Sequence, residues 1–196
     1  DHGVKQVVFL SILGAEQLRV VPHRSVELTL IESGMDWVLL RSAYFMQNLS
    51  GIHAPEIRAR DEIFIPAGSG KLGLIDVRDV AAVGALALTE GFKNTAFSLT
   101  GPQAVTFSET AAIFSEVLDR PITYSNPSLP HFFWKMRKRG IPTGLILFMI
   151  IEYTATKLGK SGRMTPQVQS VLGREAIPLE QFVTENQDSW VPNPLG

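Results

Sequence analysis

Cysteine is absent from the 196 residues, which excludes disulfides, thiolate nucleophiles and cysteine-ligated zinc and leaves the redox compartment open. An excess of charge of one sign is missing too, since 18 Lys and Arg stand against 19 Asp and Glu, a formal charge of −1. A dedicated nucleic-acid surface needs a dense basic stripe to replace counterions. The densest run, Lys135-Met136-Arg137-Lys138-Arg139, is short, so no nucleic-acid partner is expected. Long hydrophobic runs are lacking as well. The most apolar one, residues 144–151, is closed by Glu152, well short of the ~20 residues that cross hydrocarbon. It reads as a buried helix, and no membrane partner is expected. No His-x-x-x-His or Glu-x-x-His pair occurs, so no metal site is expected. The sequence opens without a secretory or transit pattern, which makes the cytoplasm the default location.

What is present is a globular composition, 45% apolar, in a chain long enough to bury a core. Residues 4–10 form a near-continuous apolar run rich in β-branched side chains and closed by Ser11 and Gly14. That is how a strand buried on both faces of a parallel sheet reads. From Pro22 the period becomes 3.6, with Val26, Leu30 and Ile31 on one stripe and a stop at Ser33-Gly34. Residues 37–40 are a second buried strand, so strand, helix and strand make a right-handed crossover with parallel strands. Residues 62–66 and 72–75 flank a Gly-rich turn and read as a hairpin. Asp76 or Asp79 caps a helix running to about Thr89, residues 96–99 are another strand, and a helix over 107–118 has Ser108 as its cap. A strand fragment at 122–124 follows. Beyond Pro130 the pattern is mainly helical, with breaks at 140–142 and 159–166 and a last helix over 178–190. The boundary falls near residues 102–106.

Gly68-Ser69-Gly70-Lys71-Leu72-Gly73 fits G-x-G-x-x-G letter for letter, but a dinucleotide loop needs a helix directly after it to receive the phosphate. Leu74-Ile75 continue a strand instead, so the motif reads as a turn.

The ordered series Val7 to Ser11, His23-x-x-x-Glu27, Ser33-Gly34, Leu40-Arg41-x-x-x-Phe45-Met46-Gln47-Asn48, Ile63 to Gly68, Ile75 to Val80 and Leu99 to Pro102 resembles the NmrA-like family of atypical short-chain dehydrogenases/reductases. The resemblance covers residues 3–190. It implies an α/β fold: the C-terminal half of a Rossmann-like parallel sheet with helices (1–105, a partial NAD(P)-binding domain), plus a smaller mainly helical substrate lobe (106–196). The glycine-rich loop and first strands of that family would lie upstream, in a longer chain. The sheet would then have a raw edge, a liability that implies poor stability alone or completion by another segment.

The resemblance implies NADP or NAD as cofactor and hydride transfer to a quinone- or dye-like small-molecule acceptor. Its regulatory members suggest an alternative, a sensor that binds a protein partner; a homodimer is a further expectation. In the wider superfamily a Tyr-x-x-x-Lys pair handles the carbonyl proton and the nicotinamide ribose. With Glu27 as register, those positions fall on Arg19 and His23, so the pair is replaced. His23 is the candidate catalytic and cofactor-binding residue, able to bond a ribose hydroxyl or exchange a proton near neutral pH; otherwise it is a surface residue paired with Glu27 one turn on. Ser11 ends a parallel strand, where open α/β sheets bind ligands, or merely terminates it. Tyr44 and Phe45 line the pocket by resemblance, or belong to the core. Asn48 reads as a helix-end or turn residue and Arg41 as a structural partner of a carboxylate such as Asp76; Asp76 and Asp79 read as helix caps, and the resemblance implies that they and Arg78 hold the domain junction. His53 and His131 lie in polar segments, and the aromatic stretches at 131–134 and 145–153 read as core.

Overall fold

The strand and helix signals of the first hundred residues resolve into a parallel sheet covered by helices on both faces. In this computed structural model, which describes residues 3–17 and 21–191, β1 (Gln6–Ile12) leads through a 3-10 turn (Ala15–Gln17) to α1 (Pro22–Glu32), β2 (Asp36–Ser42) and β3 (Tyr44–Phe45). Short helices α2 (Gln47–Ser50) and α3 (Ala54–Arg60) precede β4 (Glu62–Phe64), β5 (Leu72–Ile75), α4 (Val77–Thr89), β6 (Thr95–Leu99) and β7 (Ala104–Val105). The rest is α5 (Phe107–Leu118), β8 (Thr123–Ser125), α6 (Leu129–Lys138), α7 (Thr143–Lys157), α8 (Gln167–Leu172), α9 (Leu179–Glu185) and a closing 3-10 turn (Gln187–Trp190).

Local chemistry sets most boundaries. Helix α1 opens on Pro22, whose missing N–H would have had no partner there. Asp76 caps α4 by accepting the Arg78 backbone N–H at 2.8 Å. Helix α5 is capped by Thr106 rather than Ser108. Thr106 accepts the Glu109 N–H at 3.1 Å, and the Glu109 carboxylate accepts the Thr106 N–H at 2.7 Å. The Thr-x-x-Glu spacing makes this reciprocal box, which Ser108 cannot form from inside the first turn.

Strands β1, β2 and β6 lie parallel in that order, with Leu10 opposite Leu40 and Leu40 opposite Phe97. Among the described residues β1 is an edge of this sheet. Val38, Leu40, Phe97 and Leu99 turn to one face and pack with Val80, Val83 and Ala87 of α4 and Val168 of α8. Strand alternation therefore turns Arg41 to the opposite face, toward α1. There the Glu27 carboxylate, 0% exposed, accepts from the Ser11 hydroxyl at 2.7 Å and from Arg41 Nε and Nη2 at 2.9 and 2.8 Å. Arg24 adds a contact at 3.2 Å. The Arg41–Asp76 pairing expected from sequence is thereby replaced, because Asp76 sits at the start of α4 and is held by Arg78 and Gln47.

The expected hairpin does not form. Strand β4 runs parallel to β8, and β5 runs parallel to β3 and antiparallel to β7. The intervening turn is pressed against the end of α7, where a Cβ on Gly70 would lie 1.9 Å from the Thr156 carbonyl oxygen. The two arms are thus held apart by distant partners that no local pattern specifies. A second core gathers Phe107, Phe114, Phe132, Tyr153, Phe182 and Trp190, and also takes in Met46, Leu49, Ile63 and Leu74 from before residue 105. Trp190 Nε1 donates to the Leu49 carbonyl at 2.8 Å. Among the described residues, no helix is long and apolar enough to cross a membrane.

Two stability outcomes follow from these contacts, both read by urea denaturation. Gly70→Ala lowers stability by about 1–3 kcal/mol, because the methyl group meets a backbone oxygen that has little room to retreat. Arg41→Met strands a buried carboxylate and costs about 3–5 kcal/mol, much of which the double change Arg41→Met with Glu27→Leu restores.

Candidate functional site

Open parallel sheets bind ligands beyond the carboxyl ends of their strands, and a cavity of this molecule lies there. It has a volume of about 550 Å³. The ends of β1 and β2 give one wall through Ser11, Ile12, Leu13 and Ser42; β3 and α2 give Tyr44, Phe45 and Asn48. Helix α7 closes the other side with a stripe at helical spacing: Leu145, Phe148, Met149, Glu152, Tyr153 and Thr156. Lys160 and Arg163 stand on the loop that follows, and Gly14 and His23 are also among the lining residues.

Ser11, His23, Tyr44 and Phe45, the four residues singled out from sequence, all line this one cavity. Their commitments differ. Ser11 is 1% exposed and spends its proton on Glu27, so it acts on a ligand only as an acceptor. His23 is not paired with Glu27, whose oxygens are taken by Ser11, Arg41 and Arg24. Its ring lies 6.4 Å from that of Phe9, and its buried Nδ1 has no hydrogen-bond partner among the described residues. Arg19, the other replaced position, lies outside the described residues.

The hydroxyl of Tyr44 belongs to a cluster that its sequence surroundings do not announce. It lies 3.0 Å from the Tyr153 hydroxyl and 3.2 Å from His53 Nε2, and His53 Nε2 is 2.7 Å from the Tyr153 hydroxyl. Each of the three groups touches the other two. His53, which lies in a polar stretch of sequence, is 1% exposed. The short α2–α3 connection turns it inward, and it precedes the first turn of α3. Burial, reinforced by the nearby Arg139 charge, lowers its pKa from 6.5 to about 3, so the imidazole is neutral. Burial likewise pushes both phenols upward, and they stay protonated. The one acid lining the cavity, Glu152, is also pushed upward by burial. Arg163 is engaged by Glu16 at 3.4 Å, and Glu16 in turn meets Arg41 at 3.3 Å.

The junction acids act structurally. Asp79 accepts the Ile177 N–H at 2.8 Å and pairs with Arg174 at 2.7 Å, and Arg78 bridges Asp76 and Glu185. No group of three His, Asp or Glu residues able to hold a metal occurs among the described residues.

No family model matches the chain. It is 37% identical over 152 residues to an NAD(P)H azoreductase of Xenophilus azovorans, matching 77% of this chain and 53% of that protein. It is 30% identical over 197 residues to (4-alkanoyl-5-oxo-2,5-dihydrofuran-3-yl)methyl phosphate reductase of Streptomyces griseus, matching 97% of this chain and 69% of that one. The chain belongs to the NmrA-like family of atypical short-chain dehydrogenases/reductases. The fold of this NmrA-like chain agrees with that of an NADPH-dependent quinone oxidoreductase from Escherichia coli: TM-score 0.84 at 24% identity, over 93% of this chain and 68% of that one. The transcriptional regulator NmrA, solved with NAD, gives a TM-score of 0.66 at 14% identity, over 92% of this chain and 64% of that one. The chain spans about half the length of the azoreductase it matches.

The buried imidazole gives the NmrA-like chain a defined acid response. The unfolded chain binds a proton near pH 6.5 that the folded one refuses until about pH 3, so stability falls as pH drops through that window. Urea unfolding followed between about pH 7 and pH 5.5, above most carboxylate titration, shows the slope. His53→Gln flattens it.

Proposed function

We propose that this chain forms the acceptor side of an NAD(P)H-dependent reductase that passes hydride to a quinone- or dye-like small molecule. The observation that carries the reading is the shared cavity, in which Ser11, His23, Tyr44 and Phe45 meet an apolar wall of α7 at the carboxyl ends of parallel strands. The activities of the azoreductase and quinone oxidoreductase to which the chain is similar support it.

The residues present fit the reactive end of a nicotinamide cofactor. The unpartnered His23 Nδ1 is a site for a ribose hydroxyl, and Ser11 has lone pairs free for an amide donor. A reduced nicotinamide bound there supplies hydride. Phe45 and the α7 stripe exclude water and hold a flat acceptor against that end of the cavity. The phenols of Tyr44 and Tyr153 keep their protons inside the cluster with His53 and present a neutral wall to the acceptor. With Tyr-x-x-x-Lys replaced, His23 or solvent serves as proton source once hydride has arrived. We place the reductase in the cytoplasm, where the reduced nicotinamide pool is at hand, and 1–105 and 106–196 as its cofactor and acceptor units.

NADPH oxidation with a panel of quinones and azo dyes, followed by loss of nicotinamide absorbance, tests the proposal. Turnover is the expected result, with kcat falling about ten-fold or more in His23→Ala. Cofactor binding without turnover on any acceptor overturns it in favour of the regulatory reading, in which occupancy of the same cavity alters contact with a protein partner or a second copy of the chain.

A further inference from the structure

Helices α6 and α7 carry an outward surface that the reductase reading leaves unused. We propose that this surface docks the protein onto a negatively charged lipid bilayer, on which it lies without crossing it.

A helix that is apolar all round is ordinarily covered on every side. Helix α7 is covered on one. Ile146, Met149 and Tyr153 point into the second core, whereas Leu147, Ile151 and Leu158 form a row at spacings of four and seven residues on the opposite side, with Ile151 68% and Leu158 67% exposed. Leu145 and Phe148, also exposed, carry the apolar surface round to the cavity. Helix α6 lies alongside. Its Phe132 ring is 5.7 Å from that of Tyr153, so both helices rest on one core and their outward sides are neighbours. There Trp134 is 55% exposed, with the Lys138 ammonium 3.7 Å from its ring centroid.

Charge identifies the partner. Residues 126–163 hold seven of the 18 Lys and Arg but one of the 19 Asp and Glu, a local charge of +6 in a chain whose formal charge is −1. That one acid, Glu152, stands on the cavity side of α7, and burial favours its neutral form. Lys135 and Arg139 are held by Glu56 and Glu62, and Arg163 by Glu16. Arg137, Lys138, Lys157 and Lys160 are exposed and make no ion pair among the described residues. The first two end α6, just before α7, and the other two lie at the close of α7, so cations bracket the apolar row. A second copy of the chain seated here would set like charges against each other, because a two-fold contact opposes a patch to itself. An anionic bilayer answers both features. The row enters the boundary between headgroups and acyl chains, Trp134 sits at that level, and the flanking Lys and Arg reach the headgroups along their own stems. The 15 residues of α7 are too few to span hydrocarbon, but length does not limit a helix that lies in the plane.

Co-sedimentation with vesicles tests the surface, comparing phosphatidylglycerol mixed into phosphatidylcholine with phosphatidylcholine alone. The protein is expected to partition onto the anionic vesicles about ten-fold more strongly or more, and less as salt is raised. Ile151→Ser with Leu158→Ser should lower that partitioning about ten-fold or more. Arg137→Gln with Lys138→Gln should lower it on the anionic vesicles alone. All four side chains lie outside the cavity, so cofactor binding in solution stays as in the unmodified protein. Failure to partition onto anionic vesicles overturns the proposal. So does partitioning that survives the loss of Ile151 and Leu158, which is adsorption by charge alone. A stable dimer that the same pair of substitutions dissolves also overturns it, by putting a second copy on this face. NADPH oxidation in vesicle-free buffer is read apart from all of these, so the reductase reading stands or falls on its own.

Discussion

A buried carboxylate fixes the geometry on which the site depends. Glu27 lies on the inner side of α1, out of water, and its two oxygens collect donors from the end of β1 (Ser11), the end of β2 (Arg41) and its own helix (Arg24). A carboxylate so placed is stable only if every donor arrives at once, since losing one leaves charge uncompensated in a low-dielectric setting. Helix α1 is therefore pinned to the carboxyl ends of both strands at one height, and His23, one turn earlier on that helix, is carried to the cavity rim. The same Arg41 reaches Glu16, and Glu16 reaches Arg163 on the loop after α7. One chain of alternating charges thus runs from the sheet to the far wall of the cavity, and at Glu27 the donors outweigh burial and hold the carboxylate below its ordinary pKa.

The sheet that carries this cluster was legible in the sequence because its strands are buried on both faces and its helices carry punctuation. The apolar runs around Val8 and Val38, Pro22 at a helix start and Gly34 at its end are local signals, and they yield a parallel crossover without any knowledge of the partner. The arms at 62–66 and 72–75 read as a hairpin because they too are locally plausible, with glycines between them. The turn between them abuts the carbonyl of Thr156, eighty-six residues after Gly70. Close approach to a distant backbone leaves glycines behind, and glycines are equally the mark of a tight turn. Pairing with β8 and β7 is a non-local outcome that alternation alone does not encode.

The site divides along the same line. Ser11, Tyr44 and Phe45 are found from strand ends, because in an open parallel sheet the strand end is itself the address of the crevice. His53 and Tyr153 are not. They lie 100 residues apart, one between two short helices and the other inside an apolar helix where an aromatic residue reads as packing. Each makes sense only beside the other. The register of Glu27 gave His23 a place but the wrong partner: a spacing of four residues allows a pair on a helix surface, yet the buried carboxylate has stronger donors across the fold.

Commitment of donors also decides what chemistry the cavity has left. Ser11 gives its proton to Glu27, and Tyr44, Tyr153 and His53 are closed into a mutual cluster whose members burial holds neutral. None of these is free to become a strong acid or base without breaking a bond inside the protein. Among the described lining residues the buried His23 Nδ1 has no hydrogen-bond partner and the Glu152 carboxyl makes no ion pair, and much of the remaining lining is apolar. A cavity with two separated polar points and an apolar middle positions a flat ligand more than it activates one. In the reductase proposed above, such a cavity would act by holding two reactants together and keeping water away, which asks little of proton-transfer residues and accords with Arg19 and His23 standing where the resemblance leads one to expect the Tyr-x-x-x-Lys pair.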